Sequence, residues 1–234
     1  MESLRKLKEQ VLAANLELVR QGLVLHTWGN VSGVCRERGV MAIKPSGVAY
    51  DALTADQIAL VSLDSGEHLD GLKPSSDTPT HLALLRAFPA LGGVTHTHSA
   101  AATAFAQARR MIVCLGTTHA DYFHGDVPVT DELSEAEILN GYEANTGKLI
   151  VERLRRGGLD PLAMPAVLVA GHGPFTWGET PGKSVENAVV LEAVAAMNLQ
   201  TAMLCGGAPP PLSKALLDKH FLRKHGSGAY YGQG

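Results

Sequence analysis

Leu4, Leu7, Val11, Leu12, Leu16 and Val19 recur at the three- and four-residue spacing of a helix with one apolar face. Gly22 stands where a helix C-cap belongs. The pattern predicts a first helix over residues 2–21. Short apolar runs at 23–26, 31–35 and 40–43 predict strands, the last two joined by a hairpin turn at Arg36-Glu37-Arg38-Gly39. Thr54 is placed to cap a short helix, residues 58–63 read as a further strand, and Asp64-Ser65-Gly66-Glu67 as a second turn.

In Thr78-Pro79 a threonine cap precedes a proline at the first helical position, which predicts a helix to about residue 88. Gly92-Gly93 leads into a strand over 94–98, and Ser99 is expected to cap an alanine-rich helix to about 107. Residues 111–115 read as a strand, 134–155 as one helix opened by Ser134, 166–170 as a buried strand, and 183–204 and 212–224 as the last two helices. Helices mixed with strands in tight hairpins predict an α/β single-domain layered fold over residues 1–234: a central, largely antiparallel β-sheet flanked by helices.

Composition narrows the function. Of 234 residues, 45% are hydrophobic and 18% charged, and 20 cationic against 23 acidic side chains leave a net charge of −3. Such a chain buries enough apolar surface to fold, and it has no cationic surplus with which to neutralise nucleic-acid phosphates. Cys35, Cys114 and Cys205 are far apart and form no CxxC, so a disulfide framework is not expected and a reducing cytoplasm is. Residues 1–9 form a charged start without the apolar centre of a signal peptide. The most apolar stretch, 188–204, is interrupted by Glu192, Asn198 and Gln200 and reads as a core helix, so no membrane span is expected.

Thr95-His96-Thr97-His98 carries the chemistry. Residues two apart on a strand share a face, so His96 and His98 project together. They read either as a chelating pair for a divalent metal or as strand-end histidines bonded to backbone. Gly171-His172-Gly173-Pro174 follows an apolar strand and offers a third imidazole where the backbone can approach closely. Asp77, ahead of a helix, is either that helix's cap or an oxygen ligand or base beside the metal. Three histidines, one carboxylate and room for substrate make a catalytic arrangement, best suited to Zn2+, with Mn2+ or Co2+ able to substitute.

Three small polar clusters lie at strand-to-loop junctions: Gly29-Asn30, Lys44-Pro45-Ser46-Gly47 and Ser75-Ser76. Together they offer backbone N–H groups, hydroxyls and one positive charge, which is what a phosphomonoester needs. Neither a Walker motif nor GxGxxG is present, so nucleotide binding is not indicated.

The segments 27–32 (TWGNVS), 43–47 (IKPSG), 73–81 (KPSSDTPTH), 96–98 (HTH), 116–122 (GTTHADY) and 172–175 (HGPF), with the endings 217–220 (LDKH) and 230–233 (YYGQ), occur in this order. End to end, the chain resembles the class II aldolase/adducin family, and its epimerase branch more than its aldolase branch. Gly171 departs from the serine common at that position. The resemblance implies a homotetramer with active sites between subunits, the metal held by His96, His98 and His172 with Asp77 close by, and the phosphate held by Gly29, Asn30, Lys44, Ser46, Gly47, Ser75 and Ser76. It implies an acid/base pair, Asp121 and Tyr231, reaching in from the neighbouring subunit. His119 and His220 would lie near the site. Where the aldolases carry a glutamate base, Asp77 is the shorter, epimerase-like version.

The activity implied is interconversion of L-ribulose 5-phosphate and D-xylulose 5-phosphate in pentose catabolism, L-arabinose use above all. The C4 hydrogen is β to the carbonyl and not acidic, so cleavage and re-formation of the C3–C4 bond is the better route, with one acid/base group for each face. The alternatives are a sugar-phosphate aldolase of the fuculose or rhamnulose type and a non-catalytic adducin-like module. The remaining histidines are expected in helix, loop, packing or surface roles, and Trp28 and Trp177 in the core rather than as stacking platforms.

Overall fold

The computed structural model describes residues 2–225 and 228–230. The first helix, α1, spans Glu2–Arg20 and ends before Gly22, whose φ of 67° is the left-handed turn its sequence position predicts. The strands are β1 Asn30–Cys35, β2 Val40–Ile43, β3 Ala59–Ser62, β4 His68–Asp70, β5 Gly93–His96, β6 Ala166–Leu168 and β7 Pro174–Gly178. The other helices are α2 Thr78–Ala87, α3 Ala100–Gln107, α4 Thr117–Ala120, α5 Glu135–Leu139, α6 Tyr142–Arg156, α7 Pro181–Cys205 and α8 Lys214–His225.

The strands form one sheet in the order β4-β3-β2-β1-β5-β7-β6, and every neighbouring pair is antiparallel. Register sets its two faces, because directly opposed residues point the same way. Asn30 pairs with His96 and His96 with Phe175 on one face, while Val31, Thr95 and Thr176 line up on the other. On the first face Leu84 and Leu85 of α2 and Ile150 and Leu154 of α6 pack on Met41, Ile43, Val94 and Trp177. On the second, Leu7 and Val11 of α1 cover Val40, Ala42 and Leu60, and Leu18 meets Val31, Val185 and Ala188. The layers close tightly: a Cβ on Gly93 would lie 2.5 Å from the Pro181 Cα that starts α7, so only glycine fits there. Of the described helices, α7 alone is long and apolar enough by composition to cross a membrane. Here one of its faces packs along β5, β7, α1 and α3.

Several local expectations change. Residues 23–26 are not a strand: Leu23 is buried, Leu25 is exposed, and His26 has a left-handed φ of 52°. Residues 111–115 contribute a single bridge, Ile112 to Val127. The helix expected over 134–155 is two, divided at Gly141, whose φ is 99°. Asp77, not Thr78, occupies the N-cap position of α2. Ser99 occupies the N-cap of α3, but its side chain does not cap. Glu192 of α7 does so instead, its two carboxylate oxygens accepting from Ala101 N at 2.7 Å and Ala102 N at 2.9 Å. The glutamate that interrupts an apolar stretch in the sequence therefore fixes the helix that follows His98.

Candidate functional site

β5 ends at His96, and His98 lies just beyond it, yet the two rings converge: their Nε2 atoms are 3.1 Å apart. His172 arrives from the turn before β7, with ring centroids 4.6 Å from His96 and 5.0 Å from His98. One nitrogen from each of the three lies within 4.8 Å of the others. Gly29 makes room for this crossing: its φ is 77°, and a Cβ there would lie 2.8 Å from the His96 carbonyl oxygen.

The electrostatics suit a cation. Burial pushes the His96 pKa well below the ordinary histidine value, and the neighbouring His172 and His98 rings push the same way. Burial also lowers His98 and His172, opposed in both by the Asp77 carboxylate. Neutral imidazoles keep the lone pairs that a metal needs. His96 Nδ1 lies 2.9 Å from the Pro174 carbonyl, which can only accept, so this nitrogen carries the proton and Nε2 is the free donor atom. Phe175 stacks on the same ring at 4.1 Å and 14°, with His81 edge-on to Phe175. The residues present therefore fit a divalent metal. Asp77 makes no side-chain cap to α2; its Oδ2 instead accepts from Asn30 Nδ2 at 2.6 Å.

A cavity of about 560 Å³ opens over the histidines. Its lining contains Gly29, Asn30, Lys44, Ser46, Gly47, Ser75, Ser76 and Asp77 along with His96, His98 and His172, so eleven positions chosen from the sequence meet in one place. Two loops supply the anion end and are tied together: Ser46 N donates to Lys73 O at 2.9 Å, and Ser75 N to Lys44 O at 3.2 Å. Asn30 Nδ2 reaches Ser75 Oγ as well as Asp77, linking this end to the histidines. Lys44 is 2% exposed, donates to Val48 O at 2.8 Å, and lies over the Tyr50 ring. Burial lowers its pKa. Among the described residues it has no carboxylate partner, so a bound anion would supply the charge that burial leaves uncompensated.

Other expected residues lie elsewhere. Asp121 does not line this cavity. It follows α4 and is held by α8: Arg223 Nη2 donates to Oδ2 at 2.8 Å, and His220 Nδ1 lies 3.0 Å from Oδ1. Burial works to raise its pKa, but the hydrogen bonds from Arg223 and His220 and the nearby Lys224 charge outweigh it and lower the value. His119 is bonded to Gly125 O and, like His220, lies outside the cavity lining of its own chain. Tyr231 lies outside the described residues. Trp28, expected in the core, is 54% exposed and lines the cavity, edge-on to His26 and tilted toward His98. Trp177 is fully buried, as expected. Sequence reading passed over Phe175 and Tyr142, which bear on the histidines only through strand register and the helix break at Gly141.

The family described as "Class II Aldolase and Adducin N-terminal domain" matches residues 9–199. A protein of Salmonella paratyphi C named L-ribulose-5-phosphate 4-epimerase UlaF is 53% identical over 98% of this chain and 100% of its own length. The Salmonella typhi protein of the same name is likewise 53% identical over 98% of this chain. Among solved structures, an L-fuculose 1-phosphate aldolase superposes with a TM-score of 0.72 at 23% identity, covering 92% of this chain and 94% of that one. YgbL of Klebsiella pneumoniae, titled a putative aldolase/epimerase/decarboxylase, gives a TM-score of 0.72 at 24% identity, over 92% of this chain and 98% of its own. With an antiparallel sheet that brings three histidines to one cavity, and a family match over most of its length, the chain belongs to the class II aldolase and adducin family.

Proposed function

We propose that this protein interconverts L-ribulose 5-phosphate and D-xylulose 5-phosphate by cleaving and re-forming the C3–C4 bond. The observation that carries the reading is the 53% identity, over 98% of the chain, to proteins that bear the 4-epimerase name. The cavity supports it: an anion end and a three-histidine end suit a short phosphorylated sugar. A substrate of that kind belongs to pentose catabolism in the cytoplasm, L-arabinose use being one such route.

In this reading Lys44 holds the phosphate with Ser46, Gly47, Ser75 and Ser76, and Gly29 and Asn30 orient the chain of carbons next to it. His96, His98 and His172, with Asp77 beside them, hold Zn2+, or Mn2+ or Co2+ in its place. When bound, such a cation supplies Lewis-acid stabilisation of the negative charge that cleavage leaves on the three-carbon fragment. The C4 hydroxyl gives up its proton, the C3–C4 bond breaks, and glycolaldehyde phosphate turns its other face before the bond re-forms. Asp121 and Tyr231 serve the two faces as base and acid, from the neighbouring subunit of a homotetramer. That Asp121 lies outside its own chain's cavity and is held ready by Arg223 and His220 supports a role across an interface.

The test is conversion of L-ribulose 5-phosphate by metal-loaded protein, followed through a coupled reaction that detects D-xylulose 5-phosphate. The expected result is xylulose phosphate with little free glycolaldehyde phosphate. Accumulating glycolaldehyde phosphate and dihydroxyacetone, with no xylulose phosphate, would make the protein an aldolase. No turnover of any sugar phosphate would favour an adducin-like module.

A further inference from the structure

We infer that the Tyr142 hydroxyl is the positioning group for His172, fixing which nitrogen of that imidazole faces the histidine cluster. The inference rests on the reading of this cluster as a metal site. Tyr142 Oη lies 3.1 Å from His172 Nδ1, with the two rings tilted at a centroid distance of 5.9 Å. The Pro174 carbonyl does the equivalent for His96, engaging Nδ1 and leaving Nε2 toward the cluster. At His172 the phenol oxygen takes that place: with Nδ1–H donating to Tyr142 Oη, Nε2 is left for the cation.

Tyr142 is placed by the start of α6 and by the packing of that helix on α2. Gly141, in a left-handed conformation, starts α6 afresh, so that Tyr142 is its first residue. Thr80 Oγ1 of α2 donates to the Glu143 carbonyl at 2.6 Å. One turn further along, a Cβ on Gly147 would lie 2.6 Å from the Ala83 Cβ, so α2 and α6 touch through a glycine. The two helices are thereby locked together, and the position of Tyr142 is fixed against the same helix that Asp77 begins. Tyr142 does not line the cavity, so it acts on the chemistry through His172 and not by touching substrate. Without the hydroxyl the imidazole is free to exchange tautomers and to turn about its side-chain bonds, and metal affinity falls by about 10–100-fold.

The experiment compares the wild type with Tyr142→Phe, which keeps the ring and removes only the oxygen. Both are stripped with a chelator, their melting points are taken metal-free, and each is titrated with Zn2+ against a competing indicator and with Co2+ by visible absorption. The expected result is an unchanged metal-free melting point, Zn2+ binding weakened about 10–100-fold, and an altered Co2+ spectrum. At saturating metal, kcat should fall while KM for the sugar phosphate holds, because the anion end is untouched. Wild-type affinity and an unaltered Co2+ spectrum in the variant would overturn the inference. So would a metal-free melting point that falls along with affinity, since that marks a packing role. A wild type that binds neither metal would overturn the reading of the site itself, and this inference with it.

Discussion

Replacing His98 by alanine is expected to strip bound metal and to lower turnover by about 10²–10³-fold, the order lost when one electrostatic stabiliser is taken from a transition state. In the proposed site, His98 is the ligand whose loss separates chemistry from folding. It is exposed at the end of β5, whereas His96 beside it is 2% exposed and stacked on Phe175. Truncating His98 therefore opens no hole in the core, and the metal-free variant should melt near the wild type. Elemental analysis of the purified protein, with a rate on L-ribulose 5-phosphate, checks both halves. A variant that keeps a full complement of metal and its rate would remove His98 from the site.

The largest expected loss of stability comes from Trp177→Ala, at about 3–5 kcal/mol. Trp177 has no exposed surface, lies opposite Val94 in the sheet, and donates from Nε1 to Pro161 O at 2.6 Å. Alanine leaves a large void under α2 and α6 and removes the donor to the Pro161 carbonyl. In a domain of this size that loss lowers the melting point by roughly 10 °C. Denaturant unfolding measures it directly, and a loss below about 1 kcal/mol would show that the sheet face does not rest on this residue. The effect should reach the site too, because β7 carries Phe175 two residues before Trp177 and follows directly on the turn that holds His172.

How far the sequence revealed this arrangement depends on which forces were local. The apolar period of α1, the hairpin of β1 and β2, and the break at Gly22 follow from side chains and backbone freedom within a few residues, and they stand where the pattern puts them. Residues 23–26 carry the same apolar signature as a strand, but their neighbours decide otherwise: only Leu23 finds the core, and the chain turns at His26 to bring Gly29 against His96. At 111–115 the alternation is real, with Ile112 and Cys114 buried, but the sheet offers no edge beyond one bridge to Val127.

The site was legible for a different reason. Histidines, serines and glycines at loop ends have chemistry that limits what they can do, and the motif order pointed to a single family. What stayed hidden was support that arrives from far along the chain. Glu192 capping the helix after His98, and Tyr142 reaching His172, are contacts across 91 and 30 residues. Trp28 was expected in the core, whereas its place at the cavity wall depends on the turn that precedes it.

The central claim is that the histidine cavity epimerises C4 by breaking a carbon–carbon bond, and one measurement bears on it most directly. Metal-loaded protein is given L-ribulose 5-phosphate in deuterium oxide, and the D-xylulose 5-phosphate formed is examined by proton NMR. Because the bond that breaks is C3–C4, the hydrogen on C4 never leaves its carbon, and the account predicts a product that retains it in full. Deuterium at C4 of the xylulose phosphate, or no xylulose phosphate at all, would contradict it.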